Sequence, residues 1–297
     1  MVRSRTITSR VADASIVFIL AVVAIMCFYP IWYTFSLSFS DTAAASAGYV
    51  RYAPIGFNLS SYKVMLSDHL FYNSFLISVK RVLLGCLIQY VMTMITAYPM
   101  SRDPHHFRGR NAYMWYMVFC MLFSGGLIPT YMTITALGLQ NSLWALVLPG
   151  AVPIFNVILM ANFFRSLPKE LDEAAVMDGA GSWYMLLRIY VPLSTPAIAT
   201  VTLFSIVGHW NSFFDGLIYM NKPELYPLQT YIQQMVVALD PSAMATLTPD
   251  QLAQLLKITD KTLNAAKLVV AMIPILLIYP FLQRFFVKGI VVGAVKE

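Results

Sequence analysis

Charge is what this chain most lacks. Only 11% of its 297 residues are Asp, Glu, Lys or Arg, where a soluble domain carries ~25%. Hydrophobic residues make up 59%. No single soluble core could hide that much apolar surface, so lipid must cover part of it. Nothing reads as a separate soluble domain. The net charge of +6 invites a nucleic-acid reading. The positive residues, however, sit at the ends of apolar segments, which is the pattern of topology signals and not of a basic groove. Cysteine is equally scarce. Cys27, Cys86 and Cys120 each lie inside an apolar run. With no CxxC or Cys/His spacing, neither a disulfide framework nor a metal site follows, and the three are expected to be small buried hydrophobes. No internal repeat stands out.

What the chain has is length of apolar sequence. A bilayer core of ~30 Å needs ~20 apolar residues in a helix. Six segments qualify, over about 14–39, 70–100, 112–132, 141–164, 190–219 and 262–285. The first is flanked by Arg3, Arg5, Arg10 and by a cleavable-looking "AAASA", but it is far longer than the apolar core of a secretion signal and is read as a retained helix. The third and fourth are separated only by "TITALGLQNS", a tight turn outside the membrane. The expected fold is an all-α polytopic membrane bundle of six helices, a single permease-sized domain over 1–297, with long outer stretches at 40–69 and 220–261. The second outer stretch contains "TPDQLAQLLKI". Thr248 there is an apt N-cap and Leu252, Leu255 and Leu256 share a face, which predicts a short amphipathic helix. It could pack on the bundle or dock a partner.

Lys and Arg near the helix ends set the orientation. With the N-terminus inside, the inner segments hold twelve, Arg3, Arg5, Arg10, Arg102, Arg108, Arg110, Arg165, Lys169, Arg188, Arg284, Lys288 and Lys296. The outer ones hold five, Arg51, Lys63, Lys222, Lys257 and Lys261. Both termini are therefore expected in the cytoplasm. Lys267 is near enough to a helix end to snorkel. Lys80 and Arg81 require either that the second helix start well outside the bilayer or that they face a wet interior. The first is preferred, because 70–100 exceeds the length of a span.

Four of the 14 acidic residues, Glu170, Asp172, Glu173 and Asp178, crowd into "ELDEAAVMDGAG" on the inner side. Pro168 can open a helix whose first turns carry the carboxylates, complementing its dipole. Leu167, Leu171, Ala174 and Ala175 form an apolar stripe, Gly179 and Gly181 break the helix, and Ser182 can cap a second one. A compact knob of this kind suits a socket. It is a poor active site, since no His, Cys or nucleophile–base pair accompanies the carboxylates. On spacing alone, an ordinary polar loop remains an alternative.

Glu173-Ala174-Ala175, Asp178-Gly179-Ala180, Ile189 and Pro192 match without gaps the E-A-A-x-x-D-G-A, eight positions, I-x-x-P motif of ABC importer permeases. "FSGGLIPTY", "GHWNSFFDGLIYM", "YPLQ" and the terminal "YPFLQRFFVKGIVVGAVKE" resemble the carbohydrate-uptake branch that contains the LplC/YtcP-like permeases and the maltose importer's G subunit. The resemblance implies a type I ABC importer permease fold in a bacterial cytoplasmic membrane. It also implies a sister permease, two ATP-binding cassette subunits, an extracytoplasmic solute-binding protein and an oligosaccharide cargo. Glu173, Ala174, Ala175, Asp178, Gly179, Ala180 and Gly181 would then seat in a groove of an ATPase. The chain itself has no Walker A pattern, so ATP and Mg would belong to those partners, and this subunit would be non-catalytic.

A sugar path must be polar where the lipid face is not. "GHWNSFFD" offers His209, Trp210, Asn211 and Asp215 inside an apolar segment, where polar groups usually face a cavity. Alternatively, Trp210 belongs to an interfacial belt and Asp215 ends the helix. Gly125, Gly126 and Pro129 suggest a kink or close helix approach. His105 and His106 read as loop residues, and "NLS" at Asn58 as no more than a chance sequon. Rival readings are an ABC permease for a non-sugar solute, an ion-coupled secondary transporter and a membrane-embedded enzyme. The secondary transporter would need paired charges near the midplane and repeated halves, which the sequence does not display, with Asp215 placed too far out.

Overall fold

The structure is a computed structural model and describes residues 7–105, 107–237 and 261–294, with side chains for 11–105, 107–235 and 261–280. Among the described residues there is no strand. The chain falls into two compact units, Met1–Asp68 with Gln234–Met272, and His69–Gln233 with Ile273–Glu297.

In the first unit, helix α1 (Ile7–Ser38) presents its apolar stretch outward all round, as a lipid-covered span does. A short helix α2 (Thr42–Ser46) follows, with Asp41 accepting from the Ala43 amide at 3.0 Å. Beyond it lies α3 (Ser60–Ser67). Stacked rings of Phe39, Phe57 and Tyr62 tie the loop between them. The last described helix, α15 (Lys261–Ala294), enters this unit at its start. There the Ser61 and Thr262 hydroxyls meet at 2.7 Å. Lys267 does not snorkel: it is buried, and its Nζ lies 2.6 Å from an Asp68 carboxylate oxygen. An oppositely charged neighbour in α3's C-cap satisfies it more directly than water at a helix end could.

The second unit is built on α4 (His69–Ser101), a continuous 33-residue rod. Then come α5 (Arg110–Leu122), α6 (Leu127–Ala136), α7 (Leu143–Val147) and α8 (Ile154–Arg165). The short α9 (Lys169–Met177) follows. Next is a compound helix: α10 (Ser182–Tyr184), a π-helical stretch Met185–Tyr190, and α11 (Val191–Leu193). The unit is completed by α12 (Thr195–Asn211), α13 (Phe214–Tyr219) and α14 (Leu228–Val237). Its core packs α4 against α8 and α12. Ala97, Val157 and Ala161 are wholly buried there, small enough to let the helix backbones approach.

Among the described residues three helices are long and apolar enough to cross a membrane, and three bent helix pairs bring the number to the six expected when each pair is taken as one span. Val11–Ser38, His69–Ser101 and Lys261–Pro280 run through. Arg110–Leu122 with Leu127–Ala136 bends by 108°, Leu143–Gly150 with Ile154–Arg165 by 46°, and Ser182–Leu193 with Thr195–Asn211 by 84°. Gly126, at φ +86, makes the first bend, with Gly125 beside it, and Pro129 sits in the first turn of α6, where its missing amide costs nothing. Pro153 and the Pro192/Pro196 pair flank the other two bends. The turn between the third and fourth spans is tight as expected, with Gly138 and Asn141 at positive φ.

Three expectations need correcting. None of the cysteines is a buried hydrophobe: Cys27 is exposed, and Cys86 and Cys120 are partly so, because a span's outer face is covered by lipid or neighbours and not by its own chain. Lys80 is exposed, but Arg81 points into the bundle. Ser182 is the first helical residue and Gly181 the cap. The amphipathic helix expected near Thr248, and His106, lie outside the described residues, while His105 is an exposed loop residue.

Candidate functional site

Two places in the second unit gather polar side chains. One is a cavity of about 380 Å³ between α4, α8 and α12. Arg81, 2% exposed, dominates it. Its guanidinium pairs with Asp215, donates to the Ser212 carbonyl at 3.2 Å and points a second arm toward the Leu146 carbonyl. Asp215 also accepts from the Ser212 hydroxyl and from the Gly216 amide, each at 2.9 Å. The break after α12 makes this possible: it turns Asp215 back over the end of the helix toward α4. Asn156 reaches across from α8 to the Val201 carbonyl at 3.3 Å. Gln89 donates to the Gly150 carbonyl at 2.8 Å. The Nε2 side of the His209 ring packs against Gly85, where a Cβ would stand 2.4 Å from Nε2.

The proposed path residues do not converge. His209 and Asp215 line this cavity. Trp210 is buried edge-on to Phe75 with centroids 5.8 Å apart, so it is neither in an exposed belt nor on the cavity wall. Asn211 is exposed. Two things separate them: on α12, Ser205, Gly208 and His209 line the cavity while residues 210 and 211 turn away from it, and beyond the end of α12 the chain break brings Ser212 and Asp215 back to it. Sequence reading missed Gln89, Asn156 and Gly85, and it preferred a place outside the bilayer for Arg81 over the interior one it takes. Only Arg81 carried a signal, an arginine deep in an apolar segment.

The second place is the acidic knob. Helix α9 starts after Pro168, with Glu170 and Asp172 in its first turn. It ends in a Schellman arrangement, the Gly179 amide on the Val176 carbonyl at 3.0 Å and the Ala180 amide on the Ala175 carbonyl at 2.9 Å. This requires Gly179 at φ +76. Glu173, Ala174, Asp178, Gly179 and Gly181 are exposed, Ala180 is half-buried and Ala175 is buried. Of the expected apolar stripe, Ala175 is buried and Leu167 packs against the core, while Leu171 and Ala174 are exposed. The inward residues are Ala175 and, unexpectedly, Asp172. Around the knob Met177 is 87% and Trp183 64% exposed, with Val176, Tyr184 and Leu187 also open. An apolar patch beside carboxylates has the make-up of a protein-docking surface.

Asp172 is held by Arg102, just past α4. Arg102 Nη1 lies 2.5 Å from Asp172 Oδ2, and Tyr190 donates its hydroxyl to the same carboxylate at 2.7 Å. The guanidinium stacks over the Tyr98 and Tyr190 rings at 4.7 and 5.1 Å. Burial works against the Arg102 charge. The Tyr98 hydroxyl, Tyr190 and Asp172 outweigh it and hold its pKa above the ordinary value. Beneath the knob is a cavity of about 1100 Å³. Among the described residues no group of His, Cys, Asp and Glu could hold a metal ion.

Comparison with known proteins places this geometry. Residues 87–292 match the family described as binding-protein-dependent transport system inner membrane component. Protein LplC of Bacillus subtilis (strain 168) is 38% identical over 98% of this chain and 97% of its own length. The polygalacturonan/rhamnogalacturonan transport system permease protein YtcP of the same organism is 35% identical over 97% and 99%. A solved structure, of a bacterial ABC transporter involved in the import of the acidic polysaccharide alginate, superposes with a TM-score of 0.86. It shares 30% identity and covers 95% of this chain and 99% of that one. The chain belongs to the binding-protein-dependent transport family and is an inner-membrane permease subunit of an ABC importer.

Proposed function

We propose that this permease forms half of the path by which an oligosaccharide enters the cell. A sister permease would supply the other half, an extracytoplasmic binding protein would deliver the sugar, and two ATPases that hold ATP and Mg would drive it. Both termini would lie in the cytoplasm. The observation that carries the cargo reading is the cavity around Arg81. Donors and acceptors from α4, α8 and α12 converge there inside an otherwise apolar bundle, and Asp215 neutralises the arginine. Such a site offers hydrogen bonds without a demanding net charge, which suits hydroxyl-rich rings. A saccharide cargo is also supported by the relatives, one named for polygalacturonan and rhamnogalacturonan and a solved structure for import of the acidic polysaccharide alginate. Glu173, Asp178 and Gly179 would be gripped by the ATPase, as their exposure allows, and ATP-driven closure would tilt the helices between inward- and outward-open states.

The test is uptake by the complete complex in proteoliposomes, offered oligosaccharides from polygalacturonan and from alginate alongside amino acids and peptides. ATP-dependent accumulation of a sugar is the expected result. Accumulation of a non-sugar solute alone would overturn the cargo assignment. The ion-coupled reading asked for paired charges near the midplane and repeated halves, and the Arg81–Asp215 pair inside the bundle meets only part of that. Membership in the ATP-driven family nonetheless assigns the energy source.

A further inference from the structure

The side chain of Arg102 stands where the end of α4 meets two elements 70 and 88 positions further on, the knob helix α9 and the π-helical stretch that leads into α12. We infer that Arg102, Asp172 and Tyr190 form a positioning joint, through which a push on the knob moves α4 and the α12 lead-in together. This rests on the reading of the acidic knob as the ATPase grip and adds the route by which its motion enters the bundle.

The geometry favours a stiff joint. Arg102 spends its arms on Asp172, on the Tyr190 hydroxyl at 3.1 Å, on the Tyr98 hydroxyl at 2.5 Å and on the Met185 sulfur at 3.3 Å. Its flat faces are walled by two tyrosine rings, and a charge pair in such a partly desolvated setting is stronger than a surface pair. The Tyr190 ring is itself fixed edge-on between Tyr98 and Phe164, at 5.2 and 5.3 Å. The knob has few other anchors. Only Ala175 of α9 is buried, and the other ion pair of that helix, Lys169 with Asp103, lies open to solvent. Beside the packing of Ala175, Leu167 and Ala180 and the short chain links to α8 and α10, Asp172 is the side chain of α9 that ties it to the end of α4. On the far side, Arg165 donates to the Met100 carbonyl at 2.6 Å and Arg110 to the Arg102 carbonyl at 3.0 Å, clasping the end of α4. The π-helical register of Met185–Tyr190 is a second clue. Such stretches are rare, local and frequently found at functional sites. Narrowing to α-helical register would rotate Tyr190 off the carboxylate.

The experiment follows motion directly and needs no knowledge of the cargo. In the full complex, with Cys27, Cys86 and Cys120 changed to serine, single spin labels are placed at Met177→Cys on the knob or Lys80→Cys on α4, both exposed positions. Spectra are compared without nucleotide and with ATP plus vanadate. The parental complex is expected to respond at both labels. Asp172→Asn should keep the knob response and shrink that at Lys80 about twofold or more, the size of effect expected for a residue on a coupling route. Asp172→Glu should recover most of it. Tyr190→Phe, which keeps the packed ring and so protects against loss of folding, should give a smaller loss in the same direction. If the Lys80 response survives Asp172→Asn and Tyr190→Phe while the knob still responds, the joint is wrong and the grip stands. Loss of both responses in parallel makes these residues structural only and also overturns the joint. If the knob label does not respond even in the parental complex, the grip reading falls and the joint with it.

Discussion

Two arginines, Arg81 within α4 and Arg102 just past its C-terminal end, are handled in opposite ways. They are 21 positions apart, about 30 Å along a helix. Arg81 is sealed among backbone carbonyls and Asp215, its side chain 3% exposed. Arg102 is clad in tyrosine rings and pairs with an acid on a short, thinly anchored helix, the two side chains 17% and 27% exposed. The first arrangement fixes a fold: its partners come from α7, the α12–α13 break and α13, all within the bundle, and neither charge can leave without stranding the other. The second can transmit, because one partner is attached to something that a neighbour can push. Burial alone does not separate a charge pair that holds helices in place around a cavity from one that can pass on a push. What each partner is fastened to does.

The sharpest way to break the contrast is at Arg81. Arg81→Leu strands the Asp215 carboxylate, and losing one partner of a buried pair costs about 3–5 kcal/mol. The variant is expected to lose most of its folded permease, seen as reduced complex in membranes and a lower melting temperature. The double change Arg81→Leu with Asp215→Leu should recover most of that stability. If the single variant is as stable as the parent, the pair is not the clamp described.

At the other end, Glu173→Lys with Gly179→Val should leave the protein in the membrane and slow import about tenfold or more, while ATP hydrolysis persists. Valine is strained at φ +76, so the Schellman turn is lost along with the charge. Import assays beside ATPase assays on the same vesicles decide this. Normal import would end the role assigned to the knob.

The unequal treatment of the two arginines also explains what the sequence could and could not reveal. The six spans are legible because twenty apolar residues in a row have few other fates, and the knob is legible because its glycine stop and its motif are local. The Gly125–Gly126 break was readable for the same reason. The rest depends on partners distant in sequence. Asp215 pairs across 134 positions, and nothing near it announces Arg81. Asp172 sits where a helix dipole already accounts for a carboxylate, so its inward turn toward Arg102 has no sequence signal. Trp210 and His209 are adjacent in the chain, yet one packs on Phe75 and the other on Gly85. Only the rotation of α12 separates their roles.

Gly85→Ala gives a milder test of the sealed end. The added methyl would meet the His209 ring at 2.4 Å. A ring can swing, so the cost is placed near the low end for overpacking, about 1 kcal/mol. Melting of the purified complex should fall slightly, and uptake should change with it if the cavity is on the sugar path. Pairing Gly85→Ala with His209→Ala should relieve the clash. A double variant no better than the single would show that the ring is not what the methyl strikes.

The smallest effect is expected at a third ion pair, which serves as the control for the other two. Lys169 and Asp103 approach to 3.4 Å beside the knob, but their side chains are 75% and 57% exposed. In water the pair gains little, loses rotamer freedom and is screened by salt. Lys169→Gln should therefore alter neither stability nor import, even though Lys169 opens the same helix that carries Asp172. A loss of import comparable to that of the knob double variant would mean that charge near α9, and not the aromatic-walled contact of Arg102, links the knob to the bundle. The distinction between the two ends of α4 would then have to be redrawn around electrostatics at the membrane surface.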